Sequence, residues 1–265
     1  MIKISIITVN FNNIQGLQKT MESVFCQKYA NTEYIIIDGG STDGSKELIQ
    51  SHKDKLSYWC SEKDKGIYDG MNKGITKVTG EYVLFLNSGD YFSCPTILND
   101  VFKNNIYNED LLIGRQLYID KSGRKGISPR LRISDFSITY FLSSTIPHQA
   151  TFIKKDLFER IGYYDISYKV SADWVFWIKA IVENKCTVRL INKKISYMEE
   201  GGVSSNMDKC YHDMSRYMEE CLIKGTITWN DIFTYSLKGK MMDYCLRNKI
   251  IKYFSRLLIY IGKRL

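Results

Sequence analysis

The chain has 265 residues, 44% hydrophobic and 13% aromatic, which is enough apolar side chain to bury a core and too much for a disordered polymer. Its 37 Lys and Arg against 29 Asp and Glu leave a net charge of +8. The excess gathers at the end, where Arg247, Lys249, Lys252, Arg256, Lys263 and Arg264 follow Asp243 with no later acid; a basic end on a balanced body points away from nucleic acid and towards one anionic surface, such as a membrane leaflet.

In chain order, residues 3–9 and 33–38 are short apolar, β-branched runs, each followed by polar turn residues and a helix-like stretch. Residues 81–86 give another buried strand, and before it Ile67, Tyr68, Met71, Gly74, Ile75 and Val78 recur at helical spacing. The alternation predicts a β-α-β-α-β-α-β unit, hence an α/β fold with a mostly parallel central sheet flanked by helices. Beyond residue 105 the pattern loosens into a hairpin around Lys121–Arg124 and a helix over about 173–184. From about 206 the chain reads as mostly helical, so the expected organisation is a catalytic domain over 1–205 and a helical extension over 206–265. The seven cysteines form no C-x-x-C pair, which predicts reduced thiols and a cytoplasmic setting. No secretory signal opens the chain and no apolar run approaches the ~20 residues of a membrane span. Composition leaves the oligomeric state open.

Ligands of open parallel sheets bind beyond the carboxyl ends of the strands. Those tips are Asn10–Asn13, Asp38–Gly44, Ser61–Gly66 and Asn87–Asp90. Asp90, after the permissive Gly89, offers a hard oxygen ligand to Mg²⁺ or Mn²⁺, which take one or two carboxylates and fill the octahedron with phosphate and water; as an ordinary turn residue it would cap the next segment of chain. Asp38 before Gly39 and Gly40 suits a hydrogen bond to a nucleobase or ribose, whereas Asp43 reads as a cap. Asp64 lies in a mixed charge run, and Asp69 and Lys73 either pair across one helical turn or leave Lys73 to bind substrate. Phe11 either stacks on a base or joins the core. Asp173, at the start of an apolar helix, is placed as a general base or as a cap, and His148 reads more readily as a structural hydrogen bonder than as a ligand.

Four motifs in order, Ser5-Ile-Ile-Thr-Val-Asn-Phe-Asn12, Ile37-Asp-Gly-Gly-Ser-Thr-Asp-Gly44, Leu86-Asn-Ser-Gly-Asp90, and Gly162-Tyr-Tyr-Asp165 followed by Ala172-Asp173, resemble those of the family 2 glycosyltransferases over about residues 3–204. The stretch Asp64–Gly74 is similar to the branch that assembles capsule, O-antigen and exopolysaccharide. The resemblance implies a GT-A fold and an inverting transfer of sugar from a nucleotide-diphosphate carrier, a UDP-sugar, to a lipid-linked or saccharide acceptor. It implies that Val9, Phe11, Asp38 and Asp64 hold the nucleotide with Asn87 and Ser88 alongside, that Asp90 binds Mn²⁺ or Mg²⁺, and that Asp173 is the base. Three positions depart from the pattern: Asn87 replaces a frequent acid, Ala172 a frequent Glu, and Met71 a frequent Arg whose charge falls to Lys65, to Lys73 or to nothing.

Apolar residues from Met242 to Ile261 recur near helical spacing among basic ones, a pattern suited to lying on anionic lipid at the inner face of a membrane or to packing on protein. Gly201–Ser204 reads as a loop able to close over a sugar donor. Two rival functions remain, a non-catalytic nucleotide-sugar-binding module and a sugar nucleotidyltransferase. The second lacks the basic Gly-rich loop that holds a triphosphate, since Asn10–Gly16 carries no Lys or Arg.

Overall fold

The computed structural model describes residues 1–120, 122–199, 207–226 and 228. Strands β1 (Ile4–Asn10), β2 (Thr32–Asp38), β3 (Tyr58–Ser61) and β4 (Tyr82–Phe85) lie parallel in the order β3-β2-β1-β4. Helices α1 (Ile14–Phe25), α2 (Ser45–Ser51) and α3 (Ile67–Ile75) make the connections. The two-residue period of a strand divides the apolar side chains between two faces. Ile4 and Ile6 pack with Tyr34, Ile36 and Leu84 against Leu17 and Met21 of α1. Ile7 and Val9 pack with Ile35, Ile37, Val83 and Phe85 against Tyr68, Met71 and Ile75 of α3. Cover on both faces is why these strands read as unbroken apolar runs.

The parallel run ends at β4. The chain continues through β5 (Tyr91–Phe92), α4 (Ile97–Phe102), β6 (Leu111–Ile119), β7 (Lys125–Ile127), α5 (Ile138–Phe141), β8 (Thr151–Lys154) and α6 (Lys155–Ile161). Then come α7 (Ala172–Trp177), prolonged by a wider turn over Ile178–Glu183, β9 (Val188–Glu199) and α8 (Met207–Ile223). The sheet extends β4-β8-β6-β9-β5, with β7 paired to β6 across the expected hairpin. Here the sheet is mixed: β8 is antiparallel to β4 and β6, whereas β6 and β9 are parallel. Because β8 starts beside the end of β4 and runs back, the 3₁₀ turn His148–Ala150 that leads into it lies on the same edge as the polar strand tips.

Tyr217, Met218 and Cys221 of α8 join the cluster that α3 and α7 bury. Asp213 of α8 accepts hydrogen bonds from the backbone N–H groups of Val170 (2.8 Å) and Ser171 (3.3 Å), just ahead of α7. Among the described residues the cysteines are free thiols, and no helix is long and apolar enough to cross a membrane. The expected loop Gly201–Ser204 and the amphipathic stretch Met242–Ile261 lie outside the described residues.

At the opposite edge of the sheet, buried Glu33 pairs with Lys3 at 2.9 Å and accepts hydrogen bonds from Ser5, Thr79 and the Gly80 N–H. Burial alone would raise its carboxyl, but these donors outweigh it and bring the pKa down from 4.5 to about 2. A depressed acid stabilises the fold above its unfolded value and loses that contribution as pH falls towards the folded one. Thermal unfolding between pH 5 and 2 is therefore expected to show a steeper loss of Tm for the wild type than for Glu33→Gln, with the variant already less stable at pH 7.

Candidate active site

The register of the parallel strands sets Asn10, Asp38 and Ser61 side by side at their carboxyl ends. Asp38 is fully buried and accepts from Asn10 Nδ2 (2.8 Å), Ser41 N (2.9 Å), Ser41 Oγ (2.5 Å) and Ser61 Oγ (2.6 Å). Burial pushes its carboxyl up, and these donors more than offset it, leaving the pKa below the ordinary value. The carboxylate thus organises the loop from beneath, with its acceptor capacity already engaged. Asp43 precedes the cap residue Gly44 and makes a turn contact instead, accepting from Ser45 N–H (3.1 Å) and, across the loop, from Ile14 N–H at the start of α1 (2.8 Å).

Above this row Phe11 is 65% exposed. A methyl on Gly39 would lie 3.3 Å from the Phe11 ring and 3.2 Å from Asp64 Oδ2, and one on Gly70 would lie 2.8 Å from Val9 and 2.9 Å from Asp64 Oδ2. The absence of a side chain at Gly39 and Gly70 therefore lets Val9, Phe11 and Asp64 pack close together at one place on this edge. Lys73 adjoins it at 2.5 Å from Asp64, 2.8 Å from Glu62 and 3.8 Å from Asp69. Burial works against its charge, yet these carboxylates hold its pKa above the ordinary lysine value. Burial likewise raises Asp64 despite the pull of Lys73. The ammonium is committed to three acids and Met71 is buried in the core, whereas Lys65 stays exposed beside them.

The Asn87–Asp90 tip is held by α1. Thr20 Oγ1 accepts from Gly89 N–H (3.0 Å) and bonds Asp90 O (2.7 Å), while Asn13 Nδ2 donates to Ser88 O (3.2 Å) and Ser88 Oγ to Asn13 O (3.1 Å). Gly89 has φ +103°, which a side chain resists. Asp90 is buried, and no Lys or Arg pairs with it among the described residues. Burial pushes its carboxyl up to about 7 even though His148, Gln149 and the Asn87 backbone lower it. Asn87 Oδ1 is buried and has no hydrogen-bond partner among the described residues. No group of three or more His, Cys, Asp or Glu side chains converges among the described residues. One under-compensated carboxylate and one partnerless amide oxygen on the same tip suit a hard cation whose other ligands come from phosphate and water.

Across the edge, Asp173 occupies the first turn of α7, after the cap residue Ser171. Its Oδ1 accepts from Tyr68 Oη (2.7 Å) and Trp174 N–H (2.9 Å), and Oδ2 lies 2.9 Å from His148 Nδ1. His148 Nε2 lies 3.2 Å from Asn87 Nδ2. Burial opposes the charge on Asp173, but His148, Tyr68 and the helix N–H prevail and hold its carboxyl below the ordinary range. A continuous set of contacts therefore joins Asp173 to the tip that carries Asp90.

Residues 5–162 match the family described as Glycosyl transferase family 2. The chain belongs to that family. Among family relatives, an uncharacterised glycosyltransferase of Mycobacterium tuberculosis is 34% identical over 196 residues, covering 71% of this chain and 72% of the relative. A PGL/p-HBAD biosynthesis glycosyltransferase of Mycobacterium bovis is 29% identical over 210 residues, covering 77% and 79%. The structure of S. aureus TarS 1–349 with UDP-GlcNAc superimposes with a TM-score of 0.64 at 21% identity, over 83% of this chain and 66% of that one. At that identity the likeness shows the shared GT-A fold.

The fold of this glycosyltransferase family member brings Val9, Phe11 and Asp64 together, and Asn87, Asp90 and Asp173 around His148. In the sequence Tyr68 reads as a core residue, and nothing there marks Gln149. The available signal was chemical: a tyrosine on a buried helical face must place its hydroxyl on a partner. Thr20→Val leaves Gly89 N–H and Asp90 C=O without that partner, at an expected cost of about 1–3 kcal/mol. Urea unfolding measures it, and an unchanged midpoint would show that α1 does not brace the tip.

Proposed function

We propose that this chain is an inverting glycosyltransferase that moves a sugar from a nucleotide-diphosphate carrier, a UDP-sugar, to an acceptor hydroxyl, in the assembly of a bacterial surface glycan. The observation that carries the reading is Asp173, a carboxylate kept ionised in a half-buried site by three donors. A module that only binds has no use for such a base. The 65% exposed Phe11 ring, next to Asp64 and the side-chain-free Gly39, is suited to stacking on a flat base. A uridine nucleotide is supported by the UDP-GlcNAc bound to TarS, and a surface glycan by the likeness of Asp64–Gly74 to the branch that assembles capsule and O-antigen.

Asp173 takes the proton from the acceptor hydroxyl as its oxygen forms a bond to the anomeric carbon. The bond from that carbon to the diphosphate oxygen breaks on the opposite face, its electron pair leaves with the nucleotide diphosphate, and the configuration inverts. Oδ1 already holds two donors and Oδ2 one, so Oδ2 has the freer lone pair for the incoming proton. Asp90 would hold Mn²⁺ or Mg²⁺ at this tip, with Asn87 and Ser88 on the donor, and the cation would supply Lewis-acid neutralisation of the departing charge. The acceptor is lipid-linked or saccharide, and the basic residues beyond 240 suit a catalytic domain resting on the cytoplasmic face of an anionic membrane, with residues 206–265 as its extension.

Asp173→Asn is expected to lower kcat by about 10³-fold, within the span of general-base effects, while calorimetry shows nucleotide binding nearly unchanged. Wild-type turnover in that variant removes Asp173 from the chemistry. EDTA is expected to suppress transfer and added Mn²⁺ or Mg²⁺ to restore it; full activity in chelator leaves Asp90 a structural part only.

A further inference from the structure

Consecutive residues of one turn reach the two carboxylates of this edge: His148 Nδ1 lies 2.9 Å from Asp173, and Gln149 is near enough to Asp90 to favour its charge. We propose that His148 is a positioning residue, which clamps the Asp173 carboxylate through Nδ1 and, through Nε2 and Asn87, ties it to the tip that carries Asp90. The inference rests on the reading of Asp173 as the base.

The geometry fixes how the clamp works. Asn87 Nδ2 has only hydrogens to offer, so Nε2 facing it at 3.2 Å accepts, and the tautomer that satisfies both contacts carries its proton on Nδ1. That proton is donated to Asp173 Oδ2 at 2.9 Å. Tyr68 and Trp174 N–H grip Oδ1 alone, so His148 is the contact that fixes the rotation of the carboxyl plane and the direction of the free Oδ2 lone pair. Asn87 spends its Nδ2 on the imidazole, which leaves its Oδ1 without a protein partner. A sugar donor that engages the Asn87–Asp90 tip thereby bears on the orientation of the base one residue away.

The turn does not need the imidazole to form. Pro147 O accepts from Ala150 N–H (3.1 Å) and Thr151 Oγ1 (2.8 Å), and Ser196 Oγ donates to Gln149 O (2.6 Å). Beneath it, Gln149 Oε1 accepts from Gln116 Nε2 at 3.0 Å, which fixes the Gln149 amide facing Asp90. Removing the His148 side chain therefore separates the orientation of Asp173 from the integrity of the fold.

The test measures UDP binding in Mn²⁺ by calorimetry, and turnover as UDP released from whichever of UDP-glucose, UDP-galactose and UDP-GlcNAc the wild type consumes fastest. His148→Ala is expected to lower kcat by about 10–100-fold, the usual range for a residue that orients a functional ligand, with UDP affinity little changed. His148→Asn, whose Nδ2 stands where Nδ1 stood, is expected to recover most of that loss and guards against a folding defect in the alanine variant. Combining His148→Ala with Asp173→Asn is expected to be no slower than Asp173→Asn alone, because the imidazole acts through that carboxylate. Wild-type kcat in His148→Ala, no recovery in His148→Asn, or a further multiplied loss in the double variant each overturns the inference. Full turnover in Asp173→Asn would instead sink the base assignment, and the inference with it.

Discussion

A carboxylate removed from water stays charged only where donors replace the water it has lost. At Asp173 those donors come from three separate parts of the chain: Tyr68 on α3, the Trp174 N–H of α7 itself, and His148 on the turn into β8. Each arrives through a feature of the fold. Parallel packing lays α3 over the sheet, reversal at β8 returns the chain to the strand tips, and Asp213 of α8 caps the backbone just ahead of α7. The apolar Trp174, Val175, Phe176 and Trp177 then lock the helix in the core, with Trp174 Nε1 donating to Phe141 O at 2.8 Å.

The second carboxylate is treated in the opposite way. Asp90 is buried with no Lys or Arg paired to it among the described residues and its pKa is pushed up to about 7, whereas that of Asp173 is held below its ordinary value. Two acids on one edge with pKa values driven apart by their surroundings divide into different roles. The one rich in donors is ready to take a proton at neutral pH. The one poor in donors suits, in the proposed reading, a divalent cation whose charge would compensate both the carboxylate and a phosphate-bearing ligand.

Much of this was legible in the sequence because parallel strands place their tips on one edge whatever the details of packing. Asn10, Asp38, Ser61 and Asn87 follow from that rule alone, and the motif resemblance then singled out Asp90 and Asp173. What stayed hidden depended on contacts across long sequence separations. Lys73 looked free to meet a substrate, but Glu62 and Asp64 fold back onto it. Asp38 looked like a surface acceptor, but Ser41 and Ser61 enclose it. His148 read as a structural hydrogen bonder because a lone histidine has no spacing to interpret, and only the reversal of β8 sets it between Asn87 and Asp173.

In the proposed reading, a single base opposite a single departing diphosphate would allow one displacement at the anomeric carbon. The most direct measurement of that claim is the anomeric configuration of the product, read from the proton coupling constant by NMR after transfer from an α-linked UDP-sugar. The account predicts a β-linked product. An α-linked product would require two displacements or a front-side reaction, and would contradict the role given to Asp173.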